Sequence, residues 1–298
     1  MSKLTETRFS FWFKQTLTRI SPKLNTRVVY LAKFKKPINL KHPKTLDEKI
    51  QWLKFNTYYK NPLVTQCADK YAVREYIEKC GCPEILNELY GAYDKVEDIP
   101  WDDLPNQFVI KWNFGCGHNL IVFDKSKLDI EDAKQKLNEW YKTHDTFYLA
   151  YAEIQYKGIK PKLVCEKLIE SETGGLPVDY KFYCFNGKPE VVLMCVDRDE
   201  EGNHAKYYFF DRQWQLKRYN KAGKEAPEGF TLPKPKNIDK LFVYAEMVCK
   251  PFPFVRADFY LENGQCFFGE LTFTPLGGFD TNRLPETQLL FGNMVRLN

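Results

Sequence analysis

The sequence predicts an α+β chain folded into lobes, not a doubly wound sheet. Apolar residues recur at helical spacing in several separate clusters, and the strands between them come in mostly hairpin-linked groups. Asn186-Gly187 and Asn263-Gly264 each follow an apolar strand-like run and lead into another, which is the strongest short-range hairpin signal. With 298 residues, 44% of them apolar and 16% aromatic, the chain can bury a sizeable core.

The elements follow in order. Phe9, Trp12, Phe13, Leu17 and Ile20 recur at spacings of three and four. They mark an amphipathic helix that ends before Pro22, with Arg8, Lys14 and Arg19 on its polar side. Thr45-Leu46-Asp47-Glu48 is a capping box opening a helix whose apolar face is Leu46, Ile50 and Leu53. Asp69 can cap another, with Ala72, Val73, Tyr76 and Ile77 inward and Gly81 as its stop. Pro100 and Pro105 bracket a loop before a strand over 108–112. A further helix starts near Asp129 and buries Ile130, Ala133, Leu137, Trp140 and Tyr141. Strands are expected over 163–169, 180–185 and 191–196. Three prolines and two glycines make 222–236 a loop or lid, and a terminal helix-and-hairpin unit follows it. The chain divides into an arm at 1–43, a region at 44–105 and a larger unit at 106–298.

Composition removes several functional classes. No stretch approaches the roughly 18 uncharged apolar residues of a membrane span, and Arg8 and Lys14 interrupt the only candidate signal-peptide core. Nine cysteines without CxxC spacing fit free thiols in a reducing cytoplasm. None of the four histidines pairs with another His or a Cys at zinc spacing. Residues 1–41 hold ten Lys or Arg against the single acid Glu6, a charge of +9; with +5 overall, the remainder carries −4. A basic arm on a mildly acidic body is not the pattern of a nucleic-acid binder. The arm has two readings: a helix lying in an anionic membrane interface, or one packed on the protein's own core.

Three segments carry candidate chemistry. Around the Asn263-Gly264 turn, period-two alternation puts Arg256 and Asp258 on one face and Glu270 and Thr272 on the other strand's face. Folding brings the two acids nearly opposite. Carboxylates about 5 Å apart destabilise a sheet unless a cation sits between them. Oxygen-only ligation suits Mg²⁺, which takes one or two carboxylates plus phosphate oxygens; a solvated acidic pair is the other reading. Next, Asn113-Phe114-Gly115-Cys116-Gly117-His118-Asn119 follows a strand ending near Lys111. Its glycines permit phosphate contact through backbone N–H groups, although such a loop also serves as a plain hairpin. Lastly, Glu166-Lys167-Leu168-Ile169 places charges in an apolar strand, either as an adenine hinge or as a protected edge. Asp179 and Lys181 share a strand face and by themselves pass for a surface ion pair.

Taken in order, these pieces resemble the ATP-grasp superfamily. The similarity is closest to its TupA-like branch, named for teichuronopeptide biosynthesis and found with genes for cell-surface polysaccharides. It runs from about Lys44 to the C-terminus through Lys44-Thr45-Leu46-Asp47-Glu48-Lys49-Ile50-Gln51-Trp52-Leu53, Ala68-Asp69-Lys70-Tyr71-Ala72-Val73-Arg74-Glu75-Tyr76, Asp179-Tyr180-Lys181-Phe182-Tyr183-Cys184-Phe185-Asn186-Gly187 and Phe268-Gly269-Glu270-Leu271-Thr272-Phe273. The resemblance implies an ATP-grasp fold whose two α+β lobes grip ATP, a nucleotide-binding lobe at about 106–180 and a metal-binding lobe at about 181–298. It implies that Lys70 and Lys111 contact phosphates and that Gly115, Cys116, Gly117, His118 and Asn119 close over them. Glu166, Lys167, Leu168 and Ile169 would form the adenine hinge, with Asp179 near the ribose. Asp258, Glu270 and Thr272 would hold Mg²⁺, with Lys111, Lys181 and Arg256 as catalytic cations. The chain departs from the family in having Thr272 where Asn is usual. It also has Phe114-Gly115-Cys116-Gly117 where the branch has His-Gly-Ser-Gly.

The activity so implied is ADP-forming carboxylate–amine ligation through an acyl phosphate. It would join an amino acid or amine to a uronic acid of a cell-surface polysaccharide or its precursor. A kinase acting on a glycan hydroxyl and a non-catalytic membrane-associated binding protein are the alternatives. The expected location is cytoplasmic, with peripheral attachment to the inner face of the membrane through residues 1–21.

Overall fold

A computed structural model describes residues 8–171, 174–196 and 205–297. The helices are α1 (Arg8–Ile20), α2 (Pro22–Phe34), α3 (Leu46–Asn56), α4 (Pro62–Ala68), α5 (Val73–Lys79), α6 (Ile130–Tyr141), α7 (Lys221–Glu225), α8 (Ile238–Cys249) and α9 (Pro285–Met294). The strands are β1 (Leu89–Tyr93), β2 (Phe108–Trp112), β3 (Asn119–Val122), β4 (Leu163–Glu166), β5 (Asp179–Phe185), β6 (Lys188–Val196), β7 (Lys206–Phe210), β8 (Leu216–Lys217), β9 (Phe254–Glu262) and β10 (Gln265–Thr272). They form two antiparallel sheets in the orders β1-β4-β2-β3 and β10-β9-β5-β6-β7-β8. The architecture is α+β, as the hairpin-linked strands require.

Local chemistry explains most boundaries. Thr45 and Glu48 complete the reciprocal capping box of α3, which buries Leu46, Ile50 and Leu53. Asp129 caps α6, whose inward face is narrower than its sequence suggests: Ala133 and Leu137 are buried, while Tyr141 is exposed. Both Asn-Gly pairs make tight turns with positive φ at each residue, 49° and 78° at Asn186-Gly187 and 52° and 73° at Asn263-Gly264. Asn and Gly tolerate that backbone best, so these turns set the register of β5–β6 and β9–β10 up to the bulge in each pair.

Three features differ from the sequence-based expectation. Pro22 ends α1 as expected but also begins α2, because its fixed φ and missing N–H suit the first helical position. Ser21 links the two helices and caps the second through Leu24 N, 3.3 Å away. The strand expected over 163–169 stops at Glu166, and it is interior, paired to β1 on one side and β2 on the other. The protected-edge reading therefore fails. Finally, β1 pairs with β4, so the first sheet draws a strand from before the division at 105.

One continuous hydrophobic core runs from α3 through both sheets to α8 and α9. A small satellite of Val29, Tyr30 and Phe279 seats α2. All nine cysteines are free thiols.

Candidate active site

The site begins with strand register. In the β9–β10 hairpin Asp258 pairs with Glu270 and Arg256 with Thr272, and β5 sets Lys181 beside Asp258. A register shift between Phe268 and Glu270 accommodates Gly269, where a Cβ would lie 3.0 Å from the Asp258 carbonyl oxygen. Alternation and the Asn-Gly turn put Asp258 and Glu270 within one residue of register, and this bulge brings them directly opposite.

Their repulsion is relieved by a side chain of the same hairpin. Arg256 donates to Asp258 through Nε to Oδ1 at 2.7 Å and through Nη2 to Oδ2 at 2.6 Å. The same Nη2 reaches Glu270 Oε1 at 3.3 Å and Thr272 Oγ1 at 3.1 Å, and Thr272 donates to Glu270 at 3.0 Å. Arg256 is therefore the cation between the acids, which a sequence reading centred on repulsion does not anticipate. Lys181 adds a second positive charge, 3.0 Å from Asp258 and 3.3 Å from Asp179. With side chains only 15%, 4% and 10% exposed, this is an interior network and not a surface pair.

Electrostatics follow from that geometry. Burial pushes the Glu270 carboxyl up, but Lys70, Arg256 and Lys181 outweigh it and hold it at about 2, against an ordinary 4.5. Its side chain is still 39% exposed, so screening reduces what this shift adds to stability. The folded state holds its proton less tightly than the unfolded chain. The contribution is therefore present above about pH 4.5 and lost as pH falls toward 2. Urea midpoints should drop on acidification more in the wild type than in Glu270→Gln. Equal acid-side losses would remove Glu270 from this account.

The glycine loop is the β2–β3 hairpin, and it is anchored at both ends. Asn113 holds Lys160 O at 2.9 Å and accepts from Lys162 N at 2.8 Å, while Phe114 is buried against Trp112, His144 and Phe147. His118 stacks on Trp140 with ring centres 5.1 Å apart, and burial together with Lys70 lowers its pKa. Between these anchors Cys116 and Gly117 are exposed, with φ of 70° at Gly115 and 75° at Gly117. Lys70 joins the loop to the acids: its Nζ donates to Gly115 O, and it lies within the field of Glu270 and Lys111. Asp69 positions it by accepting from Tyr71 N at 2.8 Å and Ala72 N at 3.0 Å.

Across the first sheet, Lys111 pairs with Glu166 at 2.6 Å, and Arg74 reaches the same carboxylate at 3.2 Å. The Glu166 side chain is thus taken up by Lys111 and Arg74, and residues 167–169 continue beyond the strand. There Lys167 N donates to Glu88 O at 3.0 Å and Asn87 Nδ2 to Lys167 O at 2.7 Å. Arg74 and Asn87 carry no site assignment from the sequence. Arg74 lies within the Ala-Asp-Lys motif, whereas nothing local marks Asn87.

These residues border a cleft between the sheets. Val109, Lys111, Asn119 and Ile121 line it from the first sheet, Tyr260, Phe268 and Gly269 from the second, and Leu168 and Ile169 from the segment after β4. It holds about 150 Å³, below the few hundred Å³ usual for a drug-sized ligand. A wider recess of about 620 Å³ shares Asn87, Lys167, Leu168 and Ile169. Among the described residues no three His, Cys, Asp or Glu side chains cluster as a metal site. Asp258, Glu270 and Thr272 nevertheless offer oxygens alone, which fits Mg²⁺ when phosphate oxygens complete its shell.

The family model described as TupA-like ATPgrasp matches residues 48–296 of this chain. No curated protein matches it in sequence. Similar solved structures include D-alanine–D-alanine ligase from Bacillus anthracis, at 16% identity and a TM-score of 0.45, covering 77% of this chain and 67% of that one. The same enzyme complexed with ATP gives 16% identity and a TM-score of 0.47, covering 78% of this chain and 66% of that one. An L-amino acid ligase from Bacillus licheniformis gives 11% identity and a TM-score of 0.44, covering 76% of this chain and 48% of that one. The chain spans between about half and two thirds of these proteins' lengths.

Proposed function

The chain belongs to the TupA-like ATP-grasp family, and from that premise we propose that it is an ATP-dependent carboxylate–amine ligase. One observation carries the reading. Lys70, Lys181 and Arg256 converge on the register-matched acids Asp258 and Glu270, with Lys111 close to Lys70 at the neighbouring sheet. Two anions must meet in such a reaction, a substrate carboxylate and the γ-phosphate of ATP, and clustered cations offset their repulsion. A carboxylate oxygen attacks the γ-phosphorus, the bond to the bridging oxygen breaks, and ADP leaves. The amine nitrogen then attacks the acyl carbon, phosphate departs, and the nitrogen gives up a proton. No nucleophilic side chain is needed.

Each residue has a task in this reading. Lys70 and Lys111 hold phosphate oxygens, Lys111 exchanging Glu166 for them, and Arg256 and Lys181 steady the transferred group. Residues 115–119 cover the phosphates, residues 166–169 flank the base, and Asp179 lies toward the ribose. Mg²⁺ on Asp258, Glu270 and Thr272 supplies charge neutralisation at the phosphates when bound. The acceptor is a uronic acid of a cell-surface polysaccharide or its precursor, and the donor an amino acid or amine. That choice follows the branch's association with teichuronopeptide and rests on analogy.

Hydroxylamine tests the reaction class. With the amine withheld, it should trap the activated uronate as a hydroxamate while ADP and phosphate accumulate. Reducing the sugar carboxyl to an alcohol should stop ADP release. Continued ADP release with a phosphorylated glycan in the mass spectrum would overturn the ligase and make the protein a kinase.

A further inference from the structure

The α1–α2 hairpin sits on the body with its polar side inward. Gln15, Thr18, Asn25 and Thr26 are buried. Gln15 donates to Thr146 O at 3.3 Å, Thr18 to Leu149 O at 2.6 Å, and Asn25 to Ala150 O at 3.0 Å. Lys14 and Lys33 lie 5.0 and 5.2 Å over the Tyr151 ring. The apolar stripe points the other way. Phe9 is 73% exposed, Trp12 57%, Phe13 44% and Ile20 71%. From α2, Leu24, Val28 and Leu31 are also exposed.

An amphipathic surface helix ordinarily buries its apolar face. The core-packing reading is therefore corrected for α1: α2 packs on the body partly through Val29 and Tyr30 against Phe279, but α1 packs through hydrogen bonds, which leaves its aromatic face unused. Exposed apolar area of this kind marks an interaction surface. Its chemistry is selective. Arg19, Lys23, Arg27 and Lys35 are exposed around it, and no Asp or Glu occurs between Glu6 and Asp47.

We propose that the α1–α2 hairpin is a docking surface for an anionic lipid bilayer, in which Phe9, Trp12, Phe13 and Ile20 enter the interface while the basic side chains meet the headgroups. Each helix has 13 residues, too short to span, and no described helix is long and apolar enough to cross a membrane. A second copy is the poorer partner, because it would bring two arms of like charge, +9 each, face to face. Lipid phosphates complement that charge. The inference stands apart from the catalytic reading.

The full chain should co-sediment with phosphatidylglycerol–phosphatidylcholine vesicles, not with pure phosphatidylcholine, and salt should weaken the binding. Trp12→Ser with Ile20→Ser should lower the partition coefficient about tenfold or more. Lys23→Gln with Arg27→Gln should lower it about fivefold per charge. All four sites are exposed, so the thermal melts should stay unchanged. Failure to bind, or equal binding to neutral vesicles and by the variants, would overturn the proposal. So would a dimer in sedimentation velocity that Trp12→Ser with Ile20→Ser dissolves, since the face would then belong to a second copy.

Discussion

Glu270→Gln should lower ATP turnover by about 10²–10³-fold and cost at most about 1 kcal/mol of stability, whereas Asp258→Asn should lose activity and far more stability. The two acids face each other but are held differently. Asp258 is 4% exposed and accepts from both Arg256 and Lys181, so neutralising it strands two buried cations. Breaking a buried pair in this way costs about 3–5 kcal/mol. Glu270 is 39% exposed and meets Arg256 at a longer 3.3 Å, a contact in the range of about 0–1 kcal/mol. If repulsion between the acids outweighed their attraction to the cations, both substitutions would spare the sheet; Arg256 between them makes that untrue of Asp258. Calorimetry of ATP with Mg²⁺ supplies the second readout. Equal affinity in the wild type and both variants would remove Asp258 and Glu270 as metal ligands.

Arg283→Met should destabilise the protein by about 3–5 kcal/mol, a large share of the roughly 5–15 kcal/mol that holds a typical domain folded. The guanidinium is 1% exposed, 3.1 Å from Asp47 and 2.9 Å from Asp280, over the rings of Tyr183 and Phe291. Asp47 also accepts from Gln288 at 2.6 Å, so the network fastens α3 to the segment that follows β10 and to α9. Methionine leaves two interior carboxylates with only the field of the exposed Lys33 in place of a buried partner. Adding Asp47→Asn and Asp280→Asn should recover part of the loss, because no unpaired charge is then buried. Chemical denaturation reads both effects as midpoint shifts at constant slope. A shift worth less than about 1 kcal/mol for Arg283→Met would mean the network is solvated.

Much of the site was legible in the one-dimensional pattern. Asp258 within one residue of Glu270 follows from strand alternation and one Asn-Gly turn, since a period of two and a two-residue loop leave little freedom of register; the bulge at Gly269 closes the last residue. The glycine loop after Lys111 carries a local signal of its own, whereas Lys70 is marked only by the family resemblance. Arg74 and Asn87 do not. They reach Glu166 and Lys167 across about 80 to 90 residues, and nothing in their neighbours specifies that contact.

The sequence by itself determined the α+β class, the hairpin that brings the two acids within a residue of each other, the capped starts of α3 and α6, and the family from its ordered motifs. Those properties are set by residues a few positions apart, through dihedral preference, capping and periodicity. Tertiary structure alone decided which partner each charge takes: Arg256 between Asp258 and Glu270, Lys181 bridging Asp179 to Asp258, Lys111 on Glu166. It also decided that α1 turns its polar side to the body and its aromatic side outward. Helical periodicity reports that a helix has two faces. Which face is covered depends on what the rest of the chain presents to it, and here the 146–150 segment presents backbone carbonyls, which only hydrogen-bond donors can satisfy.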